Sequence, residues 1–263
     1  MIGGGIIAVV VLAAVFAPVL APSDPEEMEM SLRLKGPSWA HPMGTDQFGR
    51  DLFTRILYGA RVSLSVALIA VALSVAIGVT IGLVSGYYGG LVDLLSQRLV
   101  DIFLAFPVLL LAIALVAALG PSPRNVVLAL GLVGWTGYTR LVRVDVMALK
   151  NREFVQAARV SGASDARVIV RHILPNVLSP VLVLATLGIG YAIVAESGLS
   201  FLGLGVQPPK ASWGWTVAFG TKFLRNAPHL STFPGLAIMV TVLGCNLLGD
   251  GLRDVLDPRS RRR

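Results

Sequence analysis

The sequence contains one cysteine, Cys245, so no intrachain disulfide can form and no cysteine-rich metal site exists. Its three histidines, His41, His172 and His229, are far apart, and each stands beside or near a proline, which suits loop or interface roles better than a shared ligand set. No His-Glu-x-x-His pair and no Gly-x-Ser-x-Gly elbow occurs, which removes the usual starting points for zinc or serine hydrolysis. There is also no glycine-rich loop ending in Lys-Ser or Lys-Thr to cradle phosphates. The chain is therefore expected to bind no metal or cofactor of its own and not to be an enzyme. Internal repeats with a period of about 20 to 50 residues are absent as well.

Charge is scarce: 14% of residues are charged and 55% are hydrophobic, too little polarity to clothe a soluble globule. Much of the outer surface must face lipid. Residues 62–84 hold no ionisable side chain, and as a helix they would extend about 34 Å, enough to cross a bilayer core. Further candidate spans are residues 6–20, 99–119, 125–142, 176–195 and 233–248. These Val/Leu/Ala runs lack the alternation of barrel strands. The expectation is an all-α, polytopic membrane protein with about six transmembrane helices in a single domain, 1–263. Residues 6–20 resemble a cleaved leader in length, but no Lys or Arg precedes them, so they are read as a span.

The net charge of +7 invites a nucleic-acid reading, yet the basic residues gather between spans. Arg140, Arg143, Lys150, Arg152, Arg159, Arg167 and Arg171 lie in one segment, and Arg253, Arg259, Arg261, Arg262 and Arg263 in the tail. Two spans separate the two groups, so they share a side, which the positive-inside rule makes cytoplasmic. Residues 22–61, with five basic and six acidic side chains, then lie outside, as do residues 198–232, and both termini lie inside. The lipid bilayer, and no nucleic acid, is the expected environment.

Ionisable residues at membrane depth cost about 2.5 to 3.5 kcal/mol at the centre on insertion scales. Asp101 follows Arg98 by three residues and is expected to pair with it. Glu196 interrupts the apolar stretch 176–206, which is too long for one span and should bend or re-enter near Gly198, Gly203 and Gly205. Its carboxylate either lines a pathway or pairs with a neighbouring helix, the second being preferred. Pro107 should kink the third span, shaping the pathway or its packing.

The most informative stretch is 152–176, REFVQAARVSGASDARVIVRHILPN, charged and rich in small residues between apolar runs. Residues 153–160 suit a short helix, Gly162 breaks it, and Ser164 with Asp165 can cap a second one that Leu174-Pro175 stops. Ala157 and Ala158 would let another protein approach the backbone closely, making a docking knob. The competing reading is an amphipathic helix held on the membrane surface by Arg159, Arg167 and Arg171.

Gln156-Ala157-Ala158, three residues, Gly162, and then Leu174-Pro175 resembles the EAA loop of ABC-importer permeases, Glu-Ala-Ala, three residues, Gly, nine residues, Ile-x-Leu-Pro. Two positions depart from the pattern: Gln156 replaces the glutamate and His172 the isoleucine, which leaves Glu153 to supply the missing carboxylate. HPMGTDQFGRDLFTRILYGARVSL (41–64), VDIFLAFPVLLLAI (100–113), ESGLSFLGLG (196–205) and GDGLRDVLDP (249–258) are similar to the dipeptide/oligopeptide/nickel permease family, most closely to its C-type dipeptide permease subunits.

This resemblance implies a type I ABC importer transmembrane domain in a bacterial inner membrane. It further implies a homologous permease partner, two cytoplasmic ATPases that bind ATP and Mg, and an extracytoplasmic substrate-binding protein. By the same resemblance, residues 150–175 form a coupling loop in which Glu153, Gln156, Ala157, Ala158, Arg159, Gly162, Ala163, Ser164, Leu174 and Pro175 meet an ATPase.

An ion-coupled secondary transporter, with Asp101 and Glu196 as relays, is the alternative, and inverted repeats that would favour it are not visible. The outer segments offer acidic Asp24, Glu26, Glu27 and Glu29, and Trp213 with Trp215, as candidate contacts for a binding protein. The tryptophans read more simply as interface anchors. The turns around Gly44-Thr45-Asp46 and Gly49-Arg50-Asp51 should place Asp46 or Asp51 as the cap of a helix on the outer surface.

Overall fold

The computed structural model describes residues 2–256, in which helices and loops make up the chain and the one β-type pairing is an isolated bridge between Thr45 and Asp51. The tail residues Arg259, Arg261, Arg262 and Arg263, and the end of the 249–258 motif, lie outside the described residues. In chain order the helices are α1 (Ile2–Val15), α2 (Ala17–Leu20), α3 (Leu52–Tyr88), α4 (Gly90–Leu104), α5 (Val108–Leu119), α6 (Pro123–Leu149), α7 (Glu153–Val160), α8 (Asp165–Arg167), α9 (Leu174–Phe201), α10 (Trp213–Gly220) and α11 (His229–Leu256). A π-helical turn, Val168–Ile173, joins α8 to α9.

Three helices are long and apolar enough to cross a membrane, Leu52–Tyr88, Asp165–Phe201 and His229–Leu256, and the bent pair α4 and α5 raises this to four. The two other expected spans also fall on helices. However, α1 has 14 residues, and α6 carries Arg140, Arg143 and Asp145 in its second half. The span expected over 99–119 is broken rather than kinked: α4 and α5 meet at 82°. Pro107, with φ −57° and ψ 126°, sits at the start of α5, where its missing N–H leaves no orphan partner.

α3 is the central post, and its tightest partner is α6. Gly78, Gly82 and Gly86 recur every fourth residue on one face of α3. A Cβ at Gly78 would lie 2.5 Å from the Trp135 carbonyl oxygen, one at Gly82 2.8 Å from Val142 Cβ, and one at Gly86 2.9 Å from the Arg143 carbonyl oxygen. Helix association in lipid depends on such close packing, because tails and side chains are equally apolar. Hydroxyls add to it: Thr139 Oγ1 donates to the Gly78 carbonyl at 3.2 Å, and Ser74 Oγ to the Gly131 carbonyl at 3.0 Å.

One correction concerns the chain after α7. Leu174-Pro175 does not stop a helix: residues Asp165–Phe201 run on as one 37-residue helix. The wide π turn just before Pro175 accommodates the residue without an N–H, and Asn176 Nδ2 donates to the His172 carbonyl at 2.6 Å. The break expected near Gly198, Gly203 and Gly205 is present: α9 ends at Phe201, and Gly203 takes a left-handed φ of +80°.

At the other end, the turns at 44–51 cap α3 itself rather than a separate surface helix. Asp51 Oδ2 accepts from Thr54 N at 2.7 Å, while its Oδ1 meets His41 Nδ1 at 2.9 Å. Asp46 accepts from the Phe48 and Arg50 amides and from Arg50 Nε at 2.7 Å, holding a guanidinium that is almost wholly buried. Arg55, also buried, donates to the Pro25 carbonyl at 2.9 Å. Trp213 is no interface anchor. It is buried, and its Nε1 donates to the Ile56 carbonyl at 3.0 Å, pinning α10 to α3. Trp215 is half-buried, and Cys245 is buried.

Candidate functional site

The segment between α6 and α9 is built as a small amphipathic element. Arg152 is extended, and its carbonyl accepts from Val155 N and Gln156 N, starting α7. Val155 is fully buried and Ala158 half-buried, while Phe154, Ala157 and Val160, spaced by three residues, are exposed, Val160 at 89%. This division follows the helical period. Gly162, with φ +79°, closes α7: Gly162 N donates to the Arg159 carbonyl at 2.9 Å and Ala163 N to the Ala158 carbonyl at 3.1 Å. That pair of bonds is the Schellman arrangement, which favours glycine at the left-handed position.

The element is anchored from behind. Val155, Val168 and Ile173 pack with Leu83 and Tyr87 of α3, Val142 and Val146 of α6, and Val177 of α9, with Ala158 and Ala163 against the same cluster. Tyr87 Oη donates to Asp165 Oδ1 at 2.6 Å, and the Arg159 guanidinium lies over the Tyr87 ring, 5.0 Å from its centre. Lys150 Nζ donates to the Gly86 carbonyl at 3.0 Å. One aromatic at the end of α3 thus holds both sides of the turn around Gly162.

The ten loop residues singled out from sequence do not all face the same way. Glu153, Gln156, Ala157, Gly162, Ser164 and Pro175 are exposed, whereas Ala158, Arg159, Ala163 and Leu174 are half-buried. The knob of two alanines is therefore one outward alanine, Ala157, because a helix turns about 100° per residue and Ala158 falls on the packed side. Ser164 stands at the N-cap position of α8 but its side chain makes no capping bond, and Asp165 is engaged by Tyr87 instead. Gln156 Nε2 reaches only the Lys150 carbonyl, at 3.4 Å. Among the described residues Glu153 forms no ion pair, and it lies at the first turn of α7.

The other candidates lie apart from this loop. Asp101 pairs with Arg140 at 2.9 Å rather than with Arg98, and both partners are more than half exposed, so the pair contributes at most about 1 kcal/mol. α4 and α6 are joined more firmly nearby, where Arg143 engages Asp93 through Nε and Nη2 at 2.5 and 2.6 Å. Glu196 is fully buried and takes hydrogen bonds from Ser63 Oγ at 2.9 Å and Ser200 Oγ at 2.7 Å. It ties α3 to α9.

Two features that matter are missing from the sequence reading: the pairing of Tyr87 with Asp165 and the glycine series on α3. The pairing of Tyr87 with Asp165 spans 78 positions, and no local pattern marks it. The Gly78, Gly82, Gly86 series does carry a visible signal, small residues at four-residue spacing within an apolar run.

This helical architecture is that of ABC-importer membrane subunits. The inward-facing methionine ABC transporter MetNI superposes with a TM-score of 0.61, covering 77% of this chain and 96% of that one at 16% identity. Residues 78–262 match the family of binding-protein-dependent transport system inner membrane components, and residues 1–37 match the N-terminal transmembrane domain of oligopeptide transport permease C. The dipeptide transport system permease protein DppC of Alkalihalophilus pseudofirmus is 49% identical over 99% of this chain and 86% of its own length. The glutathione transport system permease protein GsiD of Escherichia coli O1:K1 is 46% identical over 95% and 82%.

The chain belongs to the binding-protein-dependent transport system inner membrane component family. It is a permease subunit, a transport component and not an enzyme, and nothing in these likenesses favours ion-coupled transport.

Proposed function

We propose that this permease carries di- or oligopeptides into the cytoplasm of a bacterium, with both of its termini on the cytoplasmic side of the inner membrane. It pairs with a homologous permease to form one pathway, two ATPases bind ATP and Mg below, and an extracytoplasmic binding protein delivers substrate above. The whole chain acts as one transmembrane domain, with residues 150–175 as the coupling loop and residues 22–61 and 198–232 facing outward. The peptide class is supported by the names of relatives that are nearly half identical along most of the chain.

The observation that carries the coupling role is the outward face of α7. Phe154, Ala157 and Val160 stand exposed on a loop whose other face is cemented to α3, α6 and α9. An exposed apolar stripe on a rigid mount suits an ATPase groove better than free solvent. Gln156 and Glu153 flank the stripe, where a neutral amide and a carboxylate meet the partner. Asp101, Pro107 and Glu196 act structurally, through an ion pair, a helix break and a buried hydrogen-bond pair.

The test is purification of the chain with its partners from the native membrane, followed by identification of the ligand on the binding protein and ATPase assays of the complex and the lone chain. A peptide ligand and hydrolysis confined to the complex are expected. A non-peptide ligand would overturn the substrate class, and hydrolysis by the lone chain would overturn the division of labour.

A further inference from the structure

Two neighbouring hollows meet at Arg61. The first, about 290 Å³, is a groove between α1 and α3 walled by Val11, Ala14, Val15, Leu64, Ser65 and Leu68. Its single neutral polar side chain is already occupied, since Ser65 Oγ donates to the Val62 carbonyl at 2.9 Å. The second, about 240 Å³, is lined by Glu26, Tyr58, Arg61 and Lys210. Arg61 borders both, and its guanidinium lies 5.8 Å from the centre of the Tyr58 ring. Among the described residues none of Glu26, Arg61 and Lys210 forms an ion pair.

Their level along the helix is informative. α3 has 37 residues, about 55 Å, so it overshoots a hydrocarbon core of about 30 Å. Residues 62–84 are free of ionisable groups, which puts Arg61 at the edge of the apolar stretch, one turn from Tyr58. Cations and tyrosines at that depth sit among lipid head groups. Below Arg61 the groove is aliphatic and opens to the flank where Val15 and Leu68 are exposed.

We propose that this composite groove binds one zwitterionic aminophospholipid of the phosphatidylethanolamine type. An acyl chain lies along Val11, Leu64 and Leu68, the phosphodiester is held between Arg61 and Lys210, and the ammonium meets Glu26. The charges select this head group: two cations suit a phosphate, and a carboxylate on the same rim opposes a purely anionic lipid while it attracts an ammonium. The assignment does not depend on which solute the permease carries.

The test uses the assembled transporter in nanodiscs of phosphatidylethanolamine, phosphatidylglycerol or phosphatidylcholine, with native mass spectrometry after transfer to detergent. One phosphatidylethanolamine should stay bound, and Arg61→Ala with Lys210→Ala should lower its retention about tenfold or more. Glu26→Gln should abolish the preference over phosphatidylglycerol, and Ser65→Phe, which fills the groove, should displace the lipid. The proposal falls if wild type keeps phosphatidylglycerol equally well or if the double substitution leaves retention unchanged. A photoreactive group at position 68 should label lipid; labelling of the homologous permease instead would make the groove a subunit contact and overturn the assignment.

Discussion

Replacing Gly162 separates two demands placed on the same turn. Its φ of +79° lies where an L residue costs about 1–2 kcal/mol, less for asparagine, which adopts the left-handed region more readily. A Cβ built at Gly162 meets nothing within 4 Å in this chain, so the side chain itself is no obstacle until a partner arrives. For Gly162→Ala, the backbone penalty alone would lower the equilibrium constant for the docking-competent loop by roughly 5- to 30-fold, and apparent affinity for the ATPases would fall by up to that factor. Gly162→Asn should lose much less. Gly162→Asp should abolish transport although the protein still inserts, because it adds a carboxylate beside the apolar stripe of Phe154, Ala157 and Val160.

The assay is solute uptake by the assembled transporter together with solute-stimulated ATP hydrolysis, with membrane levels of the chain measured in parallel. A graded order, wild type above Asn above Ala above Asp, supports a conformational role for the turn. Equal failure of Ala and Asn would shift the cause to close contact with a partner backbone. Wild-type uptake by the Asp variant would refute the coupling role of this loop altogether.

Gln156→Glu should retain uptake if the flanking amide merely borders the contact, and complete loss would mean that charge is excluded there. Tyr87→Phe removes the hydroxyl bond to Asp165, worth about 1 kcal/mol after allowance for the exposed carboxylate. In a double-mutant cycle with Asp165→Asn the losses in coupled hydrolysis should be clearly less than additive, and strict additivity would count against the anchor. Gly82→Leu forces a side chain into Val142, 2.8 Å from where its Cβ would lie, and should cost about 1–3 kcal/mol or more, read as a lower melting temperature of the solubilised complex. An unchanged melting temperature would mean that α3 and α6 are not packed as described.

What the sequence made legible was whatever rests on local pattern. The apolar runs located the long helices, the spacing of Gly162 and Pro175 located the loop, and the turns at 44–51 offered Asp46 or Asp51 as a helix cap, of which Asp51 caps α3. Long-range pairings left no such trace. Asp101 has Arg98 three residues away and yet pairs with Arg140, 39 positions on, because α4 lies along α6 and brings that guanidinium closer. Trp213 looked like a membrane anchor until the fold carried it under α3, 157 positions from the carbonyl it binds. Pro175 looked like a terminator because proline usually is one, and a π turn with the Asn176 amide overrode that tendency. The alanine pair needed only helical geometry, about 100° per residue, to show that its members cannot share one face.

If α7 is the coupling element proposed above, the route by which it would move the membrane helices follows from where the firm and weak joints lie. On the firm side, the buried valines, Tyr87 and Lys150 bind the loop to the ends of α3 and α6, and the Gly78, Gly82, Gly86 contacts make those two helices one body. The uninterrupted helix Asp165–Phe201 carries the same loop into α9, and Glu196 fastens α9 back to α3 through Ser63. A push on α7 is therefore delivered to three helices together, not to a flexible strap. The weak joint lies at the end of α4, where an 82° break at Pro107 separates it from α5 and an ion pair, Asp101 with Arg140, is more than half exposed. If alternating access bends this subunit anywhere, α4 must yield before the α3, α6, α9 body does, since α4 is held to that body chiefly by ion pairs, whereas α5 packs on it through the buried Ala112 and Val116 against Val126, Ala129 and Leu199.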